Sequence, residues 1–239
     1  MIKKLLFLIG LAFSLVVGNP PVQAQENPES EPAMRTLYLV RHGAYHRTSD
    51  AEDYTGNALI PLGIAQARLA GARLSSLPVE MTALYSSTMT RARQSGAIIA
   101  QDFPQLELQQ TEQIVECTPT TQRQDIMQDL EEEEAAACEK QLDKAFATFF
   151  KPAMGNPRHE VLVFHGNAIR YLVTKILGVD THAWLGMGIG HASITVVQAR
   201  PDGSLKLLSY ADVGHIAPNM QTGYGGNNRS LVVPKIQKP

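Results

Sequence analysis

Thr36-Leu37-Tyr38-Leu39-Val40-Arg41-His42-Gly43 (residues 36–43) sets a short apolar run directly against an arginine, a histidine and a glycine. An apolar run without polar alternation is what a strand covered on both faces needs, and its abrupt end reads as a loop. Two other stretches repeat the pattern: Ala83-Leu84-Tyr85-Ser86 leads into Ser87 to Arg91, and Val161-Leu162-Val163-Phe164 leads into His165-Gly166-Asn167. Helical patterns lie between them. The alternation predicts an α/β protein, a three-layer α/β/α sandwich around a mainly parallel sheet. In such folds the chemistry collects at the carboxyl ends of the strands, where these three polar clusters stand.

Working outward, Pro61 opens a helix carrying Leu62, Ala65, Leu69 and Ala72, closed before Pro78. Ser87 or Thr88 is expected to cap the helix bearing Arg91, Ala92, Ser95, Ile98 and Ile99. The acidic run Glu131 to Glu134 reads as a solvated helix face. Leu142, Ala145, Phe146 and Phe149 mark a third amphipathic helix, ended near Pro152. Ile169, Leu172, Val173 and Ile176 mark a fourth, with Gly178 as its terminator. Ser193 to Ala199 and Leu205 to Tyr210 are strands joined by the turn at Pro201-Asp202-Gly203. Leu185, Met187 and Ile189 fit an exposed patch or a core equally well.

The chain has 239 residues, 44% of them hydrophobic, with 21 Lys+Arg against 23 Asp+Glu. That balance suits one globular domain and gives nucleic acid no electrostatic footprint. Met1 to Ala24 reads as a signal peptide: Lys3 and Lys4 precede the apolar run Leu5 to Val17, and Val22-Gln23-Ala24 offers a cleavage site. The run is shorter than the about 20 residues a spanning helix needs. A mature chain beginning at Gln25 is therefore expected, periplasmic or secreted, with no stable membrane anchor after cleavage. Residues 25–35 read as a linker, 36–220 as the domain and 221–239 as a flexible C-terminal tail. In an oxidising compartment Cys117 and Cys138 either pair or remain as two buried thiols. Oligomeric state is not readable from the residues.

Two arginines and two histidines converging on one crevice make a cationic pocket on a mildly acidic protein. The planar fork of arginine matches phosphate oxygens. The N–H groups of Gly166 and Asn167, at the start of a helix, add an anion-binding end. One imidazole, kept neutral by the neighbouring arginines, is suited to attack phosphorus in line and to carry the phosphoryl group. His191 and His215 are expected at the pocket rim or behind it, and His46, His159 and His182 at the surface. No HExxH or paired-ligand spacing marks a metal site.

LYLVRHGAYH, LIPLGIAQARLAGARL, LYSSTMTRARQSG and VLVFHGNAIRYLV resemble, in order, the signature segments of the histidine phosphatase superfamily, phosphoglycerate-mutase-like branch. The resemblance covers about residues 36–220. The stretch from His165 to Pro218 is most like that of the branch's mitochondrial serine/threonine protein phosphatases. It implies that His42 is a nucleophile forming a phosphohistidine and that Arg41, Arg91 and His165 hold the phosphate. Asn167 is expected either to orient its loop or to contact the phosphate beside Gly166. The resemblance also implies a carboxylate proton donor in the irregular middle region. Glu116, in Glu116-Cys117-Thr118-Pro119, is the candidate, although Cys117 and Thr118 depart from the family pattern. Neither a metal nor an organic cofactor is implied.

The expected activity is hydrolysis of phosphomonoesters, on phosphoserine and phosphothreonine in proteins. The alternatives are a periplasmic sugar-phosphate phosphatase of the lipopolysaccharide heptose-phosphate type and a non-catalytic phosphate-binding protein. A mutase is disfavoured by the short, acid- and glutamine-rich middle region. The phytase branch is disfavoured by Ala44-Tyr45-His46 and His165-Gly166-Asn167, where that branch carries other residues.

Overall fold

The computed structural model describes residues 31–47 and 56–224. The expected signal peptide, most of the linker and the tail beyond Tyr224 lie outside the described residues.

The anticipated strands form the middle of a six-stranded sheet. Strand β2 (Arg35–Arg41) lies between β6 (Arg158–Phe164), parallel to it, and β7 (Ile194–Ala199), antiparallel. Strand β3 (Ala83–Ser87) runs parallel to β6 on its other side, and β4 (Leu108–Thr111) parallel to β3. Strand β8 (Leu205–Asp212) closes the far edge as the hairpin partner of β7. The strand order is β4-β3-β6-β2-β7-β8, a mixed and mostly parallel sheet.

Side-chain alternation explains why the central strands read as unbroken apolar runs. Leu37 and Leu39 of β2, with Leu162 and Phe164 of β6, pack against α4 (Glu132–Phe149) and α5 (Gly166–Leu177). Tyr38 and Val40, with Val161 and Val163, face α1 (Pro61–Ser75) and α2 (Thr90–Ala100). Successive residues of one strand thus enter two cores, one on each face. This is the expected three-layer α/β/α arrangement. After the short helix α3 (Gln124–Met127), Glu132, Glu133 and Glu134 stand in the first turn of α4, where acidic side chains complement the helix dipole. Gly178 ends α5 in the left-handed conformation, as its sequence position implies.

Three local expectations change. The ordered fold starts before residue 36, because β1 (Pro32–Ala33) pairs with β5 (Ala153–Met154). Neither Ser87 nor Thr88 caps α2. The N-cap is Met89, without a side-chain cap, and the Ser87 hydroxyl is occupied elsewhere. Residues 221–224, expected to be flexible, fold back over the strand ends, where Arg41 Nη1 donates to the Gly223 carbonyl.

Candidate active site

Register builds the site. The β2–β6 ladder pairs Arg41 with Phe164, so one step further along, His42 comes beside His165. Their ring centroids are 5.2 Å apart. In the β3–β6 ladder Ser86 pairs with Val163, which brings Ser87 alongside the same place. Arg91 enters from the first turn of α2. Residues up to 124 positions apart in the chain meet because three adjacent parallel strands end at one level.

Two close approaches lock the loop after His42. A Cβ on Gly63, in the first turn of α1, would lie 1.9 Å from the Ala44 carbonyl oxygen, and one on Gly43 would lie 2.3 Å from that of Gly63. Only glycine permits the two backbones to touch in this way. The Ser95 hydroxyl accepts the N–H of Gly43 and donates to the carbonyl of Arg91, at 3.0 and 2.8 Å, tying the loop to α2.

The ring protons can be assigned from the surroundings. His42 Nδ1 lies 2.8 Å from the Gly43 carbonyl, which can only accept. The proton therefore sits on Nδ1, and Nε2 presents a lone pair, met by Arg91 Nε–H at 3.1 Å. His165 is set the opposite way. Ser87 Oγ accepts the Met89 N–H and lies 2.9 Å from His165 Nε2, so the hydroxyl proton is available to that nitrogen. With the hydroxyl donating, the ring proton of His165 sits on Nδ1, which is buried without a partner, as is Arg41 Nε. Buried unpaired donors beside a cationic cavity mark where an anion is received.

Burial, His165 and the charges of Arg41 and Arg91 hold the His42 imidazole well below its ordinary range. Burial, Arg91 and Arg41 do the same to His165. Both rings are neutral at neutral pH. Burial lowers Arg41 to about 10, opposed by Glu116, and leaves it cationic at neutral pH. Tyr45 closes the side of the cup, edge-on to His42 at 5.1 Å and beneath the Arg91 guanidinium at 4.8 Å.

Glu116 borders the same cavity, of about 870 Å³, whose lining includes Arg41, Arg91, Gly166 and Asn167. Burial raises its carboxyl above the usual range, against the opposing pull of Arg41 and Arg91. Glu116 Oε1 accepts the backbone N–H of Asn167 at 3.2 Å. Asn167 Nδ2 donates to the Cys117 carbonyl, and its Oδ1 accepts from Arg170. Of the two expected uses of Asn167, orienting a loop fits these bonds, while its N–H serves Glu116 rather than an incoming anion. Cys117 is joined to Cys138 of α4 by a disulfide, resolving the open question about the two cysteines.

Arg170 was not singled out from the sequence. It lines the cavity, donates to the Gly166 and Met187 carbonyls and lies over the Trp184 ring at 4.7 Å. The signal was its spacing of three and four residues from Asn167 and Gly166 on one helix face. Leu185, Met187 and Ile189 form a wall of the cavity rather than a free patch. His191 is buried with its ring 5.5 Å from that of His42, while His215 lies half-buried with Nε2 donating to the Ala192 carbonyl. His159, expected at the surface, is half-buried against the Tyr38 hydroxyl.

The model of the histidine phosphatase superfamily (branch 1) matches residues 37–212. The chain is 32% identical over 193 residues to the mitochondrial serine/threonine-protein phosphatase Pgam5 of Caenorhabditis elegans, covering 78% of this chain. It spans 66% of the length of that relative. The Pgam5 of Drosophila yakuba is 30% identical, over 86% of this chain and 74% of its own. Among solved structures, Bacillus stearothermophilus YhfR superposes with a TM-score of 0.61 at 18% identity, covering 77% of this chain and all of that one. That likeness speaks to the fold. The relatives are mitochondrial proteins, which overturns the expected periplasmic or secreted location. The alternative of an envelope sugar-phosphate substrate, argued from export, loses its ground with it.

Proposed function

Because the chain belongs to the histidine phosphatase superfamily (branch 1), we propose that it hydrolyses phosphomonoesters through a phosphohistidine on His42, acting on phosphoserine and phosphothreonine in proteins. Membership supports a phosphatase enzyme. The observation that carries the mechanism is the opposite setting of two neighbouring imidazoles: His42 offers a lone pair at Nε2, and His165 an N–H at Nδ1.

The phosphoryl group enters the cup and takes hydrogen bonds from Arg41 Nε, the Arg91 guanidinium, His165 Nδ1 and the Gly166 N–H. The Arg91 Nε–H that covers His42 Nε2 turns to the phosphate. His42 Nε2 attacks phosphorus in line, the ester P–O bond breaks, and Glu116 gives its proton to the departing oxygen. Water then attacks the phosphohistidine and loses a proton to the Glu116 carboxylate. The P–N bond breaks, and its electron pair returns to His42. Charge on the equatorial oxygens is met by donors already in place, the principal source of catalysis in phosphoryl transfer.

The protein substrate class is supported by the names of the relatives and by an open cup with space for a side chain presented from a polypeptide. Turnover of a panel of phosphopeptides, sugar phosphates and phosphoglycerates, with trapping of an acid-labile labelled phosphoenzyme, tests both parts. Preferred hydrolysis of phosphopeptides with label on His42 is expected. Turnover without a trapped intermediate would overturn the mechanism, and preference for the small esters would overturn the substrate class.

A further inference from the structure

We propose that His191 is a further phosphate-binding residue, presenting Nε2–H to a phosphoryl oxygen beside His42. The inference rests on the functional reading above for the identity of the anion alone. His191 is 5% exposed, and its ring centroid lies 5.5 Å from that of His42 and 6.0 Å from that of Tyr45. Its backbone N–H donates to the Thr222 carbonyl at 2.9 Å, and its Nδ1 lies 2.9 Å from Thr222 Oγ1. Nε2 is buried with no partner.

Gln66 fixes the protons of this chain. The Ala44 N–H donates to Gln66 Oε1 at 2.8 Å, so the amide nitrogen lies on the other side, donating to the Met220 carbonyl and to Thr222 Oγ1. With one lone pair of Thr222 taken by Gln66, the assignment that uses each proton once sends the hydroxyl proton to His191 Nδ1. An imidazole that accepts at Nδ1 carries its proton on Nε2. The opposite tautomer would aim a bare lone pair at an anion.

Burial and the charges of Arg41, Arg47 and Arg91 hold His191 down at about 2, so the ring is neutral. It adds a donor to the cup without adding a charge that would compete with the arginines. A purely structural role is already met by the backbone N–H and Nδ1, and it leaves the buried, unpaired Nε2 beside His42 unexplained. The relay Ala44–Gln66–Thr222–His191 begins two residues after His42, so the positions of donor and nucleophile are set by one network.

The test measures inorganic phosphate binding by calorimetry in the wild type, His191→Leu, His191→Gln and Thr222→Val, and reads the histidine tautomers by nitrogen NMR. A bond to a charged group leads us to expect phosphate binding weakened about tenfold or more in His191→Leu, with partial recovery in His191→Gln. The wild-type His191 Nε2–H resonance should move on saturation with phosphate, and Thr222→Val should reduce the Nε2–H tautomer. Unchanged phosphate affinity in a folded His191→Leu, or an Nδ1–H tautomer in the wild type, overturns the proposal. If the Leu variant does not fold, a wild-type Nε2–H signal indifferent to phosphate overturns it. Phosphate binding that needs His191 without any ester turnover would remove the functional reading and leave this inference standing. Turnover through a phosphoenzyme, with His191 silent, would do the reverse.

Discussion

The floor of the cup and the arm that bears Glu116 are held by different means. On the floor, Arg41, His42, Arg91 and His165 are at most 8% exposed, and each lies within four residues of a buried strand end. Ladder hydrogen bonds, two glycine contacts and the Ser95 hydroxyl leave these side chains little freedom. The arm, residues 112–121, is irregular beyond a single 3₁₀ turn. It is tethered at a few points: the Cys117–Cys138 disulfide, Gln141 Nε2 to the Val115 carbonyl, and the bonds between Glu116, Cys117 and Asn167. Groups proposed to stabilise charge stand on rigid structure, whereas the proposed proton carrier rides on a tethered loop. The physical reason lies in the tolerances. Stabilising a transition-state charge requires donors preorganised to a few tenths of an ångström, while a proton donor need only reach the leaving oxygen when it departs.

The largest expected effect falls on the floor: His42→Ala should abolish turnover of every ester and leave no trapped phosphoenzyme, and any residual leaving-group-independent activity would break the contrast. On the arm, Glu116→Gln should slow alkyl phosphates by on the order of a hundredfold or more while sparing p-nitrophenyl phosphate, whose leaving group needs no proton. Equal losses on both esters would remove Glu116 from the role. The same contrast predicts the pH profile. Glu116 must be protonated and its carboxyl is raised, so turnover of alkyl phosphates declines as pH rises through that raised value. His42 must be neutral and its imidazole is depressed, so the acid limb lies below the ordinary histidine range. The p-nitrophenyl ester should lose the alkaline decline. Arg91→Ala should cost about a hundredfold on all esters, as for a lost oxyanion donor. It should also move the acid limb upward, because one of the charges that depress His42 is gone. The smallest effect is reserved for the tether: replacing Cys117 and Cys138 by serine should lower stability by about 3 kcal/mol in denaturant unfolding, from the chain-entropy cost of a loop of this size. Alkyl phosphates should slow more than p-nitrophenyl phosphate, and an equal change would show that the tether does not serve Glu116.

The floor was legible because its information is local. Leu37 to Val40 and Val161 to Phe164 announce covered strands, and the polar residues that follow them fall at strand ends by continuity. The helices from Pro61 and to Gly178 carry their own boundary signals. The arm was less so, since Glu116 was identifiable only through a resemblance that breaks at Cys117. The cap expected at Ser87 or Thr88 failed because a serine before a helix looks the same whether its hydroxyl meets the helix or a histidine beyond the end of another strand. The placement of residues 221–224 was also hidden, for glycine-rich sequence does not record which backbone carbonyl an arginine will seek.

By itself the sequence determined the layers, the parallel core of the sheet and the family, since apolar periodicity and short motifs act over a few residues. Only the tertiary structure decided the pairing of the cysteines, the partner of Asn167 and the groups that each buried imidazole nitrogen meets. Those outcomes depend on contacts such as Ser87 with His165 and Gln66 with Thr222, 78 and 156 positions apart. A proton goes to whichever acceptor the fold brings within about 3 Å, and no local pattern encodes that distance.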